Sequence, residues 1–310
     1  MKYTFLLPAY KGRFLDEMLQ SIQRQTYKDF KVVISDDCSP EDLHTICKPY
    51  LKDPRFTYRR NEENMGSKDL VAHWNMLVNM CDTEFLIMAS DDDVYEPEFL
   101  EEIDKLTLKY PHVDLFRARV RRIDENGTLL AKDILADEYM DSLQYIYQSH
   151  CNYFISCEAT NVYRVEALKA NGGFIDFPLA WHTDYATCFL LSKKGCCSTK
   201  DILFSFRMSE QNITSQWGDS NDSREKVEAS IKYWSWMNDF LGCFHENDSA
   251  YEINMINAIK DNCKMKMCGH IQNHIYHLPY CLFRKYVRLI PSELGLSKKR
   301  MLLHYLRTKI

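Results

Sequence analysis

The first hundred residues alternate between two hydrophobic patterns. Short apolar runs of strand length occur four times, at residues 3–7, 30–35, 56–59 and 84–89. The segments between these runs place apolar residues three and four positions apart, as in the series Phe14, Leu15, Met18, Leu19 and Ile22. Such spacing gives a helix one buried face. Strands that alternate with helices in this way predict an α/β fold with a doubly wound, mostly parallel sheet.

The pattern changes in the rest of the chain. Residues 113–135 have the composition of two strands joined by an Asn126-Gly127 turn, which predicts a β-hairpin. From about residue 220 onward the apolar spacing is mostly helical. A polar, turn-rich stretch at residues 218–223 separates the two regions. We therefore predict a sheet-containing domain over residues 1–218 and a helical C-terminal extension over residues 219–310.

Acidic residues directly follow two of the predicted strands. Asp36 and Asp37 come after the second strand, and Asp91, Asp92 and Asp93 come after the fourth. Ligands of such sheets bind at the carboxyl ends of the strands. Three adjacent carboxylates repel one another unless a cation or hydrogen-bond donors compensate, and Mg²⁺ or Mn²⁺ would do so. The alternatives are a solvated acidic turn for the triplet and an Asx turn or helix cap for the pair.

Composition narrows the class of protein. The 310 residues are 45% hydrophobic and 27% charged, which is typical of a globular chain and excludes intrinsic disorder. No run approaches the roughly 20 apolar residues of a membrane-spanning helix, and we expect no secretory leader at the N-terminus. The twelve cysteines include no Cys-x-x-Cys pair, so we favour reduced thiols and a cytoplasmic location.

Charge is distributed unevenly along the chain. The net charge is −5, yet residues 281–310 contain eight Lys or Arg and one acid, so this segment is +7 and the remainder is −12. The acidic remainder argues against a nucleic-acid partner. In the C-terminal tail, residues 280–310, basic and bulky apolar residues recur at helical spacing, which suits a helix on an anionic membrane surface. A helical pair that packs on the body is the alternative.

Four separated motifs occur in a characteristic order. They are Pro8-Ala9-Tyr10, the segment from Gln25 to Ser39, Asn64-Met65-Gly66, and Ser90-Asp91-Asp92-Asp93-Val94-Tyr95-Glu96-Pro97. Together they resemble the family 2 glycosyltransferases, which have the GT-A fold, and the resemblance covers roughly residues 1–215. It implies a GT-A-type sheet, a nucleotide-sugar donor and an inverting transfer that needs no covalent enzyme intermediate.

The resemblance also implies roles for individual residues. The nucleoside would lie against residues that follow the first two strands, namely Pro8, Ala9, Tyr10 and Asp37, with Asp37 receiving the base. Asp91 would face the ribose, and Asp92 with Asp93 would hold a metal ion that bridges the diphosphate. Lys68 would reach the base or the phosphates. The family usually has an acid where this chain has Ser90, so Asp92 is the better supported of the two ligands.

A further acid lies about 90 residues after the metal motif, where the family carries its catalytic base. Asp184 stands there, after Thr183 in place of the usual Glu, and would accept the proton of the acceptor hydroxyl. A helix cap is the alternative. Trp181 and His182 would contact the acceptor or the diphosphate, or else pack structurally. Arg207 opens a segment similar to the family's loop over the diphosphate, and an ordinary surface loop is the alternative.

The sequence therefore predicts a metal-dependent, inverting glycosyltransferase. The donor would be a nucleotide-sugar, specifically a UDP-sugar, and the cofactor Mn²⁺ or Mg²⁺. The acceptor would be a glycan or a lipid-linked glycan, at the cytoplasmic face of the membrane. The alternatives are a nucleotidyltransferase that makes the NDP-sugar and a non-catalytic nucleotide-binding protein. Two cysteines and two histidines lie close together near residue 270, but their spacing fits no ordinary zinc finger. We therefore interpret them as reduced thiols and polar groups on a helix, with a zinc site as the alternative: Cys263, Cys268, His270 and His274.

Overall fold

The structure is a computed structural model that describes residues 1–210, 212, 220–244 and 249–309. Within these residues the chain packs as two units. The first contains Met1–Asp176 and Thr187–Ser209, and the second contains Phe177–Ala186 and the described part of Glu210–Ile310. The predicted boundary between residues 218 and 219 lies outside the described residues, so the division into domains at that point stays a prediction.

The first unit is built on one sheet of ten strands. The strands are β1 Tyr3–Ala9, β2 Phe30–Asp36, β3 Phe56–Arg60, β4 Phe85–Met88, β5 Val94–Tyr95, β6 Leu115–Ile123, β7 Leu129–Lys132, β8 Tyr139–Met140, β9 Asn161–Arg164 and β10 Cys196–Arg207. Their order across the sheet is β3-β2-β1-β4-β9-β6-β10-β5, with β7 beside β6 and β8 beside β10. The helices that connect them are α1 Leu15–Gln23, α2 Leu43–Cys47, α3 Gly66–Met80, α4 Phe99–Lys109, α5 Ser142–His150 and α6 Val165–Ala170.

The N-terminal half of the sheet is parallel, as the hydrophobic pattern predicts. Strand β1 pairs in parallel with β2 on one side and β4 on the other, and β2 pairs in parallel with β3. Every residue from Tyr3 to Leu7 is buried. Burial on both faces of a parallel sheet explains why these strands are continuous apolar runs without polar alternation.

The other half of the sheet is mixed. Strand β9 lies antiparallel between β4 and β6, and β5, β7 and β8 also pair antiparallel, while β6 and β10 are parallel. The predicted hairpin is confirmed as β6 and β7. Its turn closes through the Asp124 amide, which donates to Thr128 O at 2.9 Å, and Gly127 adopts a φ of +82° that favours glycine.

The helix that follows β2 starts several residues after the strand. Helix α2 begins at Leu43 with Asp42 as its cap, accepting from the Thr45 amide. The Ser39 hydroxyl donates to Tyr10 O at 2.6 Å. The same hydroxyl also accepts from the Glu41 amide at 3.1 Å. It thus combines a local turn bond with a tertiary bond that ties the segment after β2 to the segment after β1.

The described part of the second unit is mainly helical, as predicted. Its long helices are α8 Ser220–Gly242 and α9 Ala250–Ile275, followed by α10 Tyr280–Leu289 and α11 Lys298–Lys309, and helix α7 Thr183–Leu191 begins in this unit. Helix α9 starts with a capping box in which Ser249 and Glu252 each bond to the other's backbone amide. Among the described helices, none is long and apolar enough to cross a bilayer.

Candidate active site

The polar residues that follow β1, β2 and β4 meet at one edge of the sheet. Strand β1 lies between the other two in parallel register, with Ala9 opposite Asp36 and Leu6 opposite Met88. The Asp37 amide donates to Ala9 O at 2.8 Å. The carboxyl ends of these strands therefore bring the predicted nucleoside residues and the acidic triplet together, as parallel topology requires.

Asp91 anchors the segment after β1. Its Oδ2 accepts from the amides of Tyr10 at 2.8 Å and Lys11 at 2.7 Å. Burial raises the pKa of this carboxyl, and the two amide bonds oppose that shift. The predicted ribose contact of Asp91 stays a prediction, and the structure adds that the same carboxylate holds the neighbouring loop in place.

Asp37 is engaged by the turn that opens α3. Its Oδ1 accepts from Asn61 Nδ2 at 2.8 Å and from the Met65 amide at 2.9 Å, and its Oδ2 accepts from the Gly66 amide at 2.7 Å. A Cβ at Gly66 would lie 3.0 Å from that Oδ2, so a larger residue would require the Asp37 carboxylate to shift by a few tenths of an ångström. The Asn64-Met65-Gly66 motif is thus explained as a cradle for the Asp37 carboxylate.

Two residues of this cradle were missed by sequence reasoning. Asn61 follows β3 directly, and the buried His73 lies on the inner face of α3. His73 Nδ1 is 3.6 Å from Asp37 Oδ2, and its Nε2 is 3.3 Å from Asn61 Nδ2. Burial lowers the pKa of His73, which favours a neutral ring beside the carboxylate. Asn61 could have been identified from the sequence because it directly follows a predicted strand, whereas no local sequence feature distinguishes His73.

Asp92 and Asp93 differ sharply in their surroundings. Asp93 accepts from the Ser90 hydroxyl through Oδ2 and from the Arg207 amide at 2.9 Å through Oδ1. Burial and the neighbouring Asp92 raise the pKa of Asp93 well above its ordinary value. These contacts favour a structural role for Asp93, so Asp92 is the stronger of the two predicted metal ligands.

The environment of Asp92 suits a divalent cation. Burial, followed by the charge of Asp91, raises the pKa of Asp92 to about 6. A cation at this carboxylate would offset both effects, and Mg²⁺ and Mn²⁺ accept one or two protein carboxylates when substrate phosphates and water complete the shell. Among the described residues, no group of three or more His, Cys, Asp or Glu side chains is arranged to hold a metal by itself. The residues therefore fit a metal that is shared with a diphosphate.

Arg207 is buried and contacts the acidic segment after β4. Its Nε donates to Asp92 O at 2.9 Å, one of its terminal nitrogens pairs with Glu17 at 2.7 Å, and the guanidinium lies 4.3 Å from the centre of the Phe14 ring. Only 2% of Arg207 is exposed. The guanidinium thus fastens the end of β10 to the acidic segment after β4, and its predicted contact with the diphosphate stays a prediction.

The other predicted nucleoside residues lie in contrasting positions. The Tyr10 side chain is 38% exposed, which leaves its ring accessible for stacking on a base. Ala9 is fully buried within β1, so it can contribute only its backbone. Lys68, on the exposed side of α3, forms an ion pair with Glu63. Pro8, near the end of β1, is partly exposed, and the nucleoside contacts of all four residues stay predictions.

The segment before Asp184 has an unusual backbone. Leu179, Ala180 and His182 have φ values of 57°, 53° and 75°, in the left-handed region that non-glycine residues rarely adopt. Such strain persists only where the surrounding structure imposes it, and it is concentrated at functional sites. Asp184 follows directly, in the first turn of α7. Its place there is compatible both with the predicted catalytic role and with a favourable interaction at a helix N-terminus.

Aromatic and imidazole rings hold this strained segment within the second unit. The His182 ring stacks on His270 at 5.2 Å between centroids and on Tyr233 at 4.7 Å, and its Nε2 is 3.2 Å from Ser230 Oγ. The Trp181 ring lies 4.8 Å from Lys226 Nζ. These contacts favour the packed alternative for Trp181 and His182, whose predicted acceptor contacts stay predictions.

The zinc alternative finds no support in the described residues. Cys268 Sγ is 3.3 Å from Leu294 O, Cys263 is buried, and His270 is part of the ring stack. Burial is the largest cause that lowers the pKa of both His270 and His274 to about 4. The four side chains are therefore distributed through helix packing and do not face one centre.

The sheet, with acidic residues at the carboxyl ends of its parallel strands, defines an α/β class of protein in which ligands bind at that edge. The profile described as Glycosyl transferase family 2 matches residues 4–172, more than half of the chain. The chain therefore belongs to family 2 of the glycosyltransferases, as the resemblance of its four motifs implies. Asp184 belongs to the second unit, whereas Asp37 and Asp92 belong to the first, so the predicted convergence of these three carboxylates stays a prediction.

Several relatives share parts of this sequence. An uncharacterized glycosyltransferase of Methanocaldococcus jannaschii is 30% identical over 142 residues, which cover 44% of this chain and 48% of the relative. The poly(ribitol-phosphate) β-N-acetylglucosaminyltransferase TarS of Staphylococcus aureus is 22% identical over 176 residues, covering 55% of this chain and 29% of TarS. The chain thus spans less than half the length of each of these relatives.

Solved structures confirm the GT-A type of fold. The structure of residues 1–349 of S. aureus TarS in complex with UDP-GlcNAc matches with a TM-score of 0.65 at 18% identity, covering 100% of this chain and 88% of that one. A mannosyltransferase of Pyrobaculum calidifontis in complex with GDP-Man and Mn²⁺ matches with a TM-score of 0.56 at 12% identity, covering 99% and 80%.

Proposed function

We propose that this chain is a metal-dependent, inverting glycosyltransferase that moves a sugar from a UDP-sugar to a hydroxyl of a glycan or lipid-linked glycan. The observation that carries the proposal is the edge of the sheet where Asp37 follows β2 and where Asp91 and Asp92 follow β4, with both strands parallel to β1 between them. The UDP-GlcNAc complex of TarS supports the choice of UDP. Membership of the family favours transfer over the nucleotidyltransferase and non-catalytic alternatives.

The nucleoside would be held by the segments after β1 and β2. The accessible Tyr10 ring stacks on the base, and Asp37, whose Oδ2 accepts one strong hydrogen bond from the protein, has a lone pair left for a base N–H. Asp91 faces the ribose while its amide bonds keep Tyr10 in position. Each residue thus combines a contact with the ligand and a contact that fixes its own orientation.

Asp92 is the residue that would hold Mn²⁺ or Mg²⁺ together with the diphosphate. When bound, the ion neutralises charge on the leaving nucleoside diphosphate. The contribution of the chain is to position the acidic segment, through the Arg207 bond to the Asp92 carbonyl and the bonds of Asp93 to Ser90 and Arg207. The neighbouring structure with GDP-Man and Mn²⁺ supports a metal in this fold.

Asp184 is proposed as the general base. Its carboxylate takes the proton from the acceptor hydroxyl as that oxygen forms the new bond to the anomeric carbon. The bond between this carbon and the diphosphate oxygen breaks in the same step, so the electron pair leaves with the nucleoside diphosphate and the configuration is inverted. The strained backbone before α7 is consistent with a functional position.

The proposal extends to the location of the enzyme. A lipid-linked acceptor and a soluble nucleotide-sugar meet at the cytoplasmic face of the membrane, and the cysteines of the described residues, which form no disulfide, are compatible with the cytoplasm. We therefore place the activity in the cytoplasm, at the inner face of the membrane. Fractionation of cells that express the tagged chain would test this placement.

A ligand screen tests the proposed reaction. UDP-sugars and GDP-sugars are compared by thermal unfolding with and without Mn²⁺, because a ligand at 100 times its Kd adds about 2.7 kcal/mol to the free energy of unfolding. A UDP-sugar should stabilise the chain only with the metal present. Stabilisation that is indifferent to Mn²⁺ contradicts the metal role, and release of pyrophosphate from UTP and a sugar phosphate would indicate the nucleotidyltransferase instead.

A further inference from the structure

The C-terminal tail packs one of its faces into the second unit. Its inward residues are buried, and they are Phe283, Tyr286, Val287, Ile290, Leu294, Met301 and Tyr305. The Tyr286 hydroxyl bonds to Glu228 on α8 at 3.0 Å, and the Tyr305 hydroxyl donates to Leu278 O at 2.8 Å. The packed alternative from the sequence is therefore confirmed for this inner face, and α10 and α11 are fixed parts of the unit.

The opposite face of the two helices combines positive charge with exposed apolar groups. The exposed basic residues are Arg284, Lys285, Arg288, Lys298, Lys299, Arg300 and Arg307. None of these seven forms an ion pair with a carboxylate of the described residues. Leu289, Leu303 and Leu306 are 53%, 47% and 37% exposed among them.

Helical spacing arranges these side chains into stripes. On α11, Lys299, Leu303 and Leu306 are four and three positions apart, so they lie on one face, which is turned away from the buried Met301. On α10, Arg284 and Arg288 are four positions apart on the exposed side. The inner sides of the two helices are thus mainly apolar and buried, whereas the outer sides combine basic and apolar residues that stay exposed among the described residues.

We propose that this outer face, formed by α10 and α11, docks on a bilayer that contains anionic phospholipids. The +7 charge of residues 281–310 complements such a surface, while the −12 charge of the remaining residues is repelled by it, so the tail is the part that approaches. The exposed leucines can enter the interfacial region beside the lysines and arginines. A nucleic acid would use the same cations but would leave the leucines in water, and the acidic remainder opposes it.

Vesicle binding tests this inference on the full chain. Cosedimentation is measured with vesicles of phosphatidylcholine alone and of phosphatidylcholine with about 30% phosphatidylglycerol, at low and high salt. The chain should bind the anionic vesicles and lose binding as salt increases. Because each basic residue near such a surface contributes about fivefold, the double variant Lys285→Glu with Arg288→Glu should bind at least about tenfold more weakly.

Two further variants make the result specific. Leu303→Ser with Leu306→Ser should weaken binding while it leaves the salt dependence in place, since the charges are retained. Lys48→Glu with Lys52→Glu, which reverses two exposed lysines of the first unit, should bind like the unmodified chain. Circular dichroism melting confirms that each variant is folded.

Three outcomes overturn the inference. They are equal binding to neutral and anionic vesicles, unchanged binding by both tail variants, and a preference of the tail for duplex DNA over vesicles. Because the assay contains no donor or acceptor, its failure leaves the proposed transfer reaction untouched. Conversely, vesicle binding by a chain that transfers no sugar would support this surface and contradict only the reaction.

Discussion

Replacing Asp92 with asparagine is expected to stabilise the fold and to abolish metal-dependent binding of the nucleotide. Burial and the charge of Asp91 raise the pKa of Asp92 to about 6, compared with 3.8 for the free side chain. At 1.36 kcal/mol for each pKa unit, ionised Asp92 costs the folded chain about 3 kcal/mol. Asparagine has nearly the same shape without the charge, so Asp92→Asn should recover most of this free energy of unfolding.

The increase in the free energy of unfolding caused by Asp92→Asn should depend on pH. Because the pKa of Asp92 is higher in the folded chain than in the unfolded chain, the cost is fully present above pH 6 and disappears as the pH falls from 6 toward 3.8. By differential scanning calorimetry without divalent metal, the variant should melt several degrees above the unmodified chain at about pH 7.5. The difference in melting temperature between the variant and the unmodified chain should approach zero at about pH 4.

Melting temperatures measured with Mn²⁺ and UDP connect the stability of the variant with its proposed function. Mn²⁺ and UDP together should raise the Tm of the unmodified chain and leave that of Asp92→Asn unchanged. Asp93→Asn is the matched control, because burial favours the protonated form of Asp93 and a carboxamide can keep its bonds to Ser90 and to the Arg207 amide. A lower Tm for Asp92→Asn at neutral pH, or a retained response to Mn²⁺ with UDP, would refute the reasoning.

Three further substitutions test the same arrangement. Gly66→Ala places a Cβ about 3.0 Å from Asp37 Oδ2, so urea unfolding should show a loss of about 1–3 kcal/mol, and an unchanged midpoint would contradict the cradle. Arg207→Lys keeps the charge but loses the planar fork that holds the Asp92 carbonyl, so the KM for the donor should increase, and an unaltered KM would argue against positioning. Asp184→Asn should lower kcat by at least about 100-fold while the Kd for UDP in calorimetry stays the same, and near-normal turnover would exclude Asp184 as the base.

The hydrophobic pattern was sufficient to predict the first four strands and to show which acidic residues lie at their ends. Apolar runs that are too short for helices become β1, β2, β3 and β4, and their burial on both faces explains why parallel pairing could be predicted. Acids placed directly after such strands must lie at one edge of the sheet. The family resemblance of the same motifs is confirmed by the match over residues 4–172.

Only the tertiary structure decided which role each of these side chains plays. Arg207 and Asp93 are 114 positions apart, and Asp37 meets Asn61 across 24 positions, so no local pattern records their contacts. The antiparallel insertion of β9 between β4 and β6 is equally invisible to hydrophobic periodicity. Periodicity specifies which face of an element is buried, whereas the partners of a buried polar group follow from how the sheet is assembled. That is why the carboxylates could be located from the sequence, while their division into anchors and ligands required the folded chain.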